Sequence, residues 1–213
     1  MSSFYDCSQV VDIADEPHHH LVIANEYVRA FAVEIPPRTR TLCHHHPYEY
    51  LLYVAQGAEI ISAARDEEPK RLSYADGECE LSKAGLVHVV DNLGDGAFRN
   101  IVVEPLPAAG RRKRGVKPLV MKGSAQIGEV LSEAPGAVFT VRMEPGAEVE
   151  IAGPAVVAAP YEPVMVKELE VFDIPLDDFR KLMWVCAPRK VRVRSAGTRA
   201  ARLVAISLGV PSK

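Results

Sequence analysis

The chain has 213 residues, 48% of them hydrophobic and 25% charged, with a formal net charge of −3. That is an ordinary globular composition, enough for one large domain or two of about 100 residues. The acidic balance argues against a nucleic-acid binder, no apolar stretch approaches a membrane span, and the start, Met1-Ser2-Ser3-Phe4-Tyr5-Asp6, lacks the basic and apolar regions of a signal peptide.

The pattern along the chain is β-like. Short runs rich in β-branched and aromatic residues occupy residues 27–33, 50–54, 58–62, 86–90 and 98–103. Pro36-Pro37, Ala75-Asp76-Gly77 and Asn92-Leu93-Gly94-Asp95-Gly96 separate them as turn signals. Strands this short and regular predict a sandwich or small barrel. Residues 106–118 are Pro, Gly and basic residues and read as a linker between a unit over 1–105 and another over 119–213. The basic run there is read as a solvated loop.

The second half repeats the first. Residues 84–94 align on 187–197 without a gap, placing Val191 on His88, Arg202 on Arg99, and Val204-Ala205-Ile206 on Ile101-Val102-Val103. Val33-Glu34-Ile35-Pro36-Pro37 aligns on Arg142-Met143-Glu144-Pro145-Gly146. The match is weak at each position and consistent in order, as in a diverged duplication. It also reassigns residues 177–182. Alone they resemble a short helix; the repeat lays them over a turn entering a strand.

Chemistry concentrates in two segments. His44 and His46 are two apart in a β-like stretch, so both point to one face, while His45 points away. Two imidazoles side by side are half of a metal site, and a third histidine can complete it. The second segment, residues 77–92, offers His88. His18-His19-His20 precedes the first strands and is read as a solvated turn or packing residues, outside the site. Cys43 should face away from His44 in a small apolar role, and Cys79 is read as structural. Arg29 and Arg99 are read as strand ion pairs rather than ligands for an anion. The four cysteines, Cys7, Cys43, Cys79 and Cys186, lack motif spacing, so a reduced, cytoplasmic protein is expected.

Both segments resemble the signatures of the cupin superfamily. His44-x-His46, three residues, Tyr50, six residues, Gly57 fits the first motif. Gly77, five residues, Lys83-Ala84-Gly85, two residues, His88, three residues, Asn92 fits the second. The resemblance covers roughly residues 20–105. Arg38 replaces the first motif's leading glycine and Lys83 the second motif's proline. The slot for a metal-binding glutamate holds Tyr50, with Glu49 one residue before it; a β-bulge would be needed to turn Glu49 inward.

The resemblance implies an all-β bicupin: two jelly-roll β-barrels. A divalent metal would sit in the first barrel on His44, His46 and His88, with Tyr50 or Glu49 as catalytic candidates. Iron is the first expectation, with zinc, nickel or manganese as alternatives. The implied function is a non-haem dioxygenase acting on a small organic molecule. The alternatives are a metal-dependent isomerase or decarboxylase, and a non-enzymatic small-molecule or metal-binding module. A homodimer is also implied. The second half contains no histidine. Counted from its Pro-Gly turn, Gly153 and Ala155 stand for His44 and His46, so no three-imidazole site is expected there.

Overall fold

The structure is a computed structural model and describes Tyr5 and residues 7–109, 119–122, 125–133, 136–162, 164–168, 172–187 and 189–208. In the first half the strands are β1 (Val11–Asp12), β2 (His19–Ala24), β3 (Val28–Ile35), β4 (His44–His46), β5 (Tyr50–Gln56), β6 (Glu59–Ala64), β7 (Lys70–Ser73), β8 (Cys79–Ser82), β9 (Leu86–Asn92) and β10 (Phe98–Pro105). In the second half they are β11 (Leu119–Lys122), β12 (Ala125–Glu133), β13 (Gly136–Met143), β14 (Glu148–Ala152), β15 (Ala155–Ala158), β16 (Val164–Glu168), β17 (Phe172–Leu176), β18 (Leu182–Val185), β19 (Lys190–Ser195) and β20 (Ala201–Leu208). The all-β, double jelly-roll expectation holds.

The first half forms two five-stranded sheets, β1-β4-β9-β6-β7 and β2-β3-β10-β5-β8. The second forms β11-β14-β19-β16-β17 and β12-β13-β20-β15-β18. Adding ten to each strand number of the first pair gives the second, so the strand order is duplicated throughout; the edge strands differ in direction, β1 running parallel to β4 and β11 antiparallel to β14. In each half the inner faces of the two sheets share a core. Phe31, Val33, Val54 and Phe98 of one sheet meet Ile60 and Val90 of the other. Phe139, Val141, Leu203 and Ala205 likewise meet Val149, Val166 and Val193. The central strands β3 and β10 are buried at nearly every position, so their apolar residues run without alternation over 30–33 and 101–103.

The chain divides into two compact units, Met1–Leu21 with Phe31–Glu104, and Val22–Ala30 with Pro105–Lys213. This differs from the sequence division at Val22–Ala30. Within the second unit, Tyr27 stacks on Trp184 with ring centres 6.4 Å apart, and its carbonyl accepts from Leu106 N at 2.9 Å. Of the expected linker over 106–118, residues 110–118 lie outside the described residues. Residues 178–180 form the turn that precedes β18, consistent with the repeat rather than a helix.

The structure corrects the repeat register at one end. β9 and β10 correspond to β19 and β20 as aligned. At the front, however, β3 ends at Ile35 and β13 at Met143, so Arg38 and Gly146 are the equivalent turn residues, with φ of 54° and 76°. Further on, His44 pairs with His88 while Ile151 pairs with Val191. The counterparts of His44 and His46 are therefore Ile151 and Gly153, not Gly153 and Ala155. The connection from turn to strand is one residue shorter in the second half, which a gapless count cannot register.

Candidate metal centre

Strand alternation sets the site. In β4, His44 and His46 are buried and His45 is half-buried on the other face. β4 runs antiparallel to β9, and His44 lies directly opposite His88, so their rings share a face. Ring centres are 4.6 Å apart for His44 and His88 and 5.3 Å for His46 and His88. The three expected histidines come together.

A fourth joins them. His19, at the start of β2, is 7% exposed, and its ring centre is 4.5 Å from that of His44 and 6.2 Å from that of His46. Among the described residues, His19, His44 and His46 form a group able to hold a cation, with ligand atoms all within 4.8 Å of one another. This corrects the reading of His18-His19-His20 as outside the site. His18 is half-buried and His20 exposed; only the middle ring turns in. Glu16 was also missed. It is buried, its Oε2 lies 2.6 Å from His19 Nδ1, and it accepts from the backbone N–H groups of His18 and Leu42.

The partners fix the tautomers of His44 and His19. His44 Nδ1 donates to the Leu42 carbonyl at 2.9 Å, and a carbonyl only accepts, so Nε2 carries the lone pair. His19 Nδ1 faces a carboxylate in the same way. His88 Nδ1 lies 3.1 Å from Ser62 Oγ. Buried His44 Nε2 and His88 Nε2 have no hydrogen-bond partner, and neither has His46 Nδ1, which faces Glu104 Oε1 at 3.4 Å. Orphaned polar atoms of this kind cost about 1–3 kcal/mol each, and a cation accepting ring nitrogens relieves that penalty. Burial holds the imidazoles neutral: it pulls His44 down to about 4 and His19, His46 and His88 in the same direction. Burial pushes the Glu16 carboxyl up, but its hydrogen bonds outweigh this and hold it below the ordinary range. Neutral imidazoles, two of them with fixed tautomers, fit a divalent first-row cation.

Tyr50 lies beside the cluster, its ring stacked on His46 with centres 4.2 Å apart. Burial, opposed by a hydrogen bond with Ser82, pushes its hydroxyl up to about 12, so it remains a proton donor. Ser82 Oγ and the Tyr74 hydroxyl both donate to Glu80, giving a polar chain towards Tyr50. Glu49 does not reach the site. It is exposed, and the β5–β8 ladder runs from Tyr50↔Ser82 to Tyr53↔Cys79 without the bulge needed to turn it. A second buried carboxylate beside the histidines is Glu104, on β10, with Oε1 3.4 Å from His46 Nδ1. No motif spacing pointed to it. A cavity of about 100 Å³, walled by Leu52, Ile60, Phe98 and Val102, reaches His19, His46, His88 and Tyr50. That is room for several waters or a small ligand.

The remaining motif positions are structural. A side chain at Gly57 would run into the Tyr74 carbonyl. Asn92 donates to the carbonyls of Ile35, Pro36 and Gly96 and accepts from Gly94 N, tying turns to β9. Arg99 pairs with Glu34 at 2.9 Å, as the strand ion-pair reading expects. Cys79 is half-buried with its thiol pushed up to about 12 by burial, so it is no nucleophile. Cys43 departs from expectation: it is buried but forms a disulfide with Cys7. Two distant cysteines give no sequence signal for pairing until β1 is seen parallel to β4, with Val11 opposite His44.

No protein-family model matches the sequence, and no curated protein does. Solved structures do. The chain is similar to AerE from Microcystis aeruginosa, at 12% identity and TM-score 0.63, over 91% of this chain and 98% of that one. It is similar to a cupin 2 conserved barrel domain protein from Leptotrichia buccalis, at 8% identity and TM-score 0.56, over 92% and 89%. It is also similar to a salicylate 1,2-dioxygenase from Pseudaminobacter salicylatoxidans, at 12% identity and TM-score 0.59, over 85% and 71%. The chain shares the fold of these proteins, a double cupin-type barrel.

Within this fold the two halves differ chemically. Ile151 and Val191 occupy the places of His44 and His88, 0% and 3% exposed, within an apolar core. The second half keeps the fold and lacks the imidazoles. Among the described residues no helix is long and apolar enough to cross a membrane.

Proposed function

We propose that this bicupin holds one divalent cation on His44, His46 and His88 and acts as a non-haem, dioxygenase-like enzyme on a small organic molecule. The observation that carries this is the set of buried, neutral imidazoles with orphaned ring nitrogens at the end of an apolar cavity. The structural likeness to salicylate 1,2-dioxygenase supports the reaction class only through the fold. Bound iron would supply the electron chemistry with O₂. The chain supplies neutral ligands, apolar walls that exclude water, and the Tyr50 hydroxyl as a donor to a substrate oxygen. Zinc or nickel would move the reading towards isomerisation or decarboxylation.

Oxygen uptake by Fe(II)-loaded protein, screened against small hydroxylated aromatic acids, tests the proposal. Uptake that depends on both iron and one substrate, and that disappears in His88→Ala, supports it. The confined, largely apolar cavity favours a second reading, a small-molecule binding module. That reading expects ligand-dependent rises in melting temperature with no turnover. The cytoplasmic expectation sits against the Cys7–Cys43 bond, since reducing compartments keep such pairs open. Thiol alkylation at the moment of cell lysis decides between them.

A further inference from the structure

We propose that His19, oriented by Glu16, is a fourth imidazole ligand, so that the centre is an all-histidine site completed by the segment leading into β2. This rests on the metal-binding reading above and adds a ligand outside both motifs. His19 is 7% exposed and belongs, with His44 and His46, to a donor group whose ligand atoms all lie within 4.8 Å of one another. Its Nδ1 is committed to Glu16, 2.6 Å away, which leaves Nε2 as its donor. A carboxylate on the far nitrogen of a histidine fixes its ring and raises its basicity as a ligand.

Glu16 is built for that task and for little else. It is 2% exposed. One oxygen serves His19 and the His18 amide, and the other accepts from Leu42 N. Leu42 in turn supplies the carbonyl that orients His44. Glu16 therefore holds two of the imidazoles in one frame. The segment is anchored next to the ligands by β1, with Val11 opposite His44 and Asp12 opposite His45, and by the Cys7–Cys43 disulfide.

The consequence is a metal preference. The four proposed donors are all imidazole nitrogens, with the Glu104 carboxylate facing His46 Nδ1 at 3.4 Å rather than belonging to the group of His19, His44 and His46. An all-nitrogen set favours late first-row cations such as zinc and copper over manganese, which prefers oxygen donors. Four imidazoles also satisfy a four-coordinate zinc ion, whereas a six-coordinate iron ion would keep two positions for small molecules.

The test is titration of apo full-length protein with Zn(II) and with Mn(II) in competition with a chelator. Wild type is compared with His19→Gln, His19→Ala, Glu16→Gln and His44→Ala, and apo melting curves confirm folding. Wild type should bind Zn(II) far more tightly than Mn(II). The His19 variants should lose at least tenfold in Zn(II) affinity, and Glu16→Gln about tenfold. If the His19 variants bind Zn(II) like wild type while His44→Ala does not, the fourth ligand is refuted and the three-histidine centre stands. If wild type binds no metal, both readings fall. Should the His19 variants fail to fold, the EPR spectrum of Cu(II)-loaded wild type decides. Coupling to four nitrogens supports the proposal, and coupling to three or fewer overturns it.

Discussion

His44 faces His88 across the β4–β9 ladder, and the matching pair in the second half is Ile151 facing Val191. The same backbone thus carries a polar pair in one copy and an apolar pair in the other. Without metal, the polar pair leaves buried ring nitrogens unpaired, whereas two apolar partners leave nothing unsatisfied. The double variant His44→Ile/His88→Val is expected to lose metal binding yet match or exceed the metal-free wild type in stability, by up to about 3 kcal/mol. Urea denaturation of both apo proteins checks this. A marked loss of stability would show that the imidazoles pack for the fold rather than for a cation.

The same burial sets a pH dependence for the metal-free protein. His44 is pulled down to about 4, and His46 and His88 move in the same direction. In the unfolded chain these groups titrate near about 6.5. Below that pH the unfolded state takes up protons that the folded state refuses, so stability rises with pH across this window. It should be full above about 6.5 and fall progressively as the pH drops towards 4. Denaturation midpoints at pH 7.5, 6 and 5 test the slope, which should be shallower in His44→Ile/His88→Val. A flat profile would contradict the neutral, buried state of the cluster.

Arg38 stands where the first cupin motif has glycine and where the second half has Gly146, and both take left-handed backbone. Only its ion pair with Asp95 offsets the strain, and that pair is exposed at both ends, worth at most about 1 kcal/mol. Arg38→Gly should keep or raise stability by up to about 1 kcal/mol, and Arg38→Val should lower it by about 1–2 kcal/mol. Thermal melts of the two variants distinguish the backbone effect from loss of the ion pair, which both share.

Asn92 is 0% exposed and uses both ends of its amide on four backbone groups. Asn92→Ala strands those groups, and a loss of about 2–4 kcal/mol is expected. Its counterpart, Ser195, is smaller and buried too, donating to the Arg199 carbonyl at 3.5 Å. Ser195→Ala should cost less, about 1 kcal/mol. Equal effects would deny Asn92 its role as the tie between turns and strand.

Strand alternation made His44, His46 and the outward His45 legible from sequence, and motif spacing added His88 and Asn92. These signals are local, or recur at fixed offsets. His19 and Glu16 lie in a short segment whose direction depends on long-range pairing of β1 with β4, which no periodicity records. Glu104 sits at the end of a buried apolar strand, where a carboxylate looks like an edge residue until the histidine beside it is seen. Glu49 was a candidate only through a bulge that the regular β5–β8 ladder does not contain. The duplication was visible at β9 and β10, whose register carries over unbroken. It slipped by two residues before β4: the turn was aligned one residue off, with Gly146 on Pro37 instead of Arg38, and the connection from turn to strand is one residue shorter.

The most direct measurement is elemental analysis of untagged protein that has never met a nickel column, beside His88→Ala. About one equivalent of a divalent metal in the wild type, lost from a folded variant, is the expected result. No metal in either protein, even after incubation with Fe(II) or Zn(II), would contradict a metal centre and leave four buried histidines without a ligand to explain them.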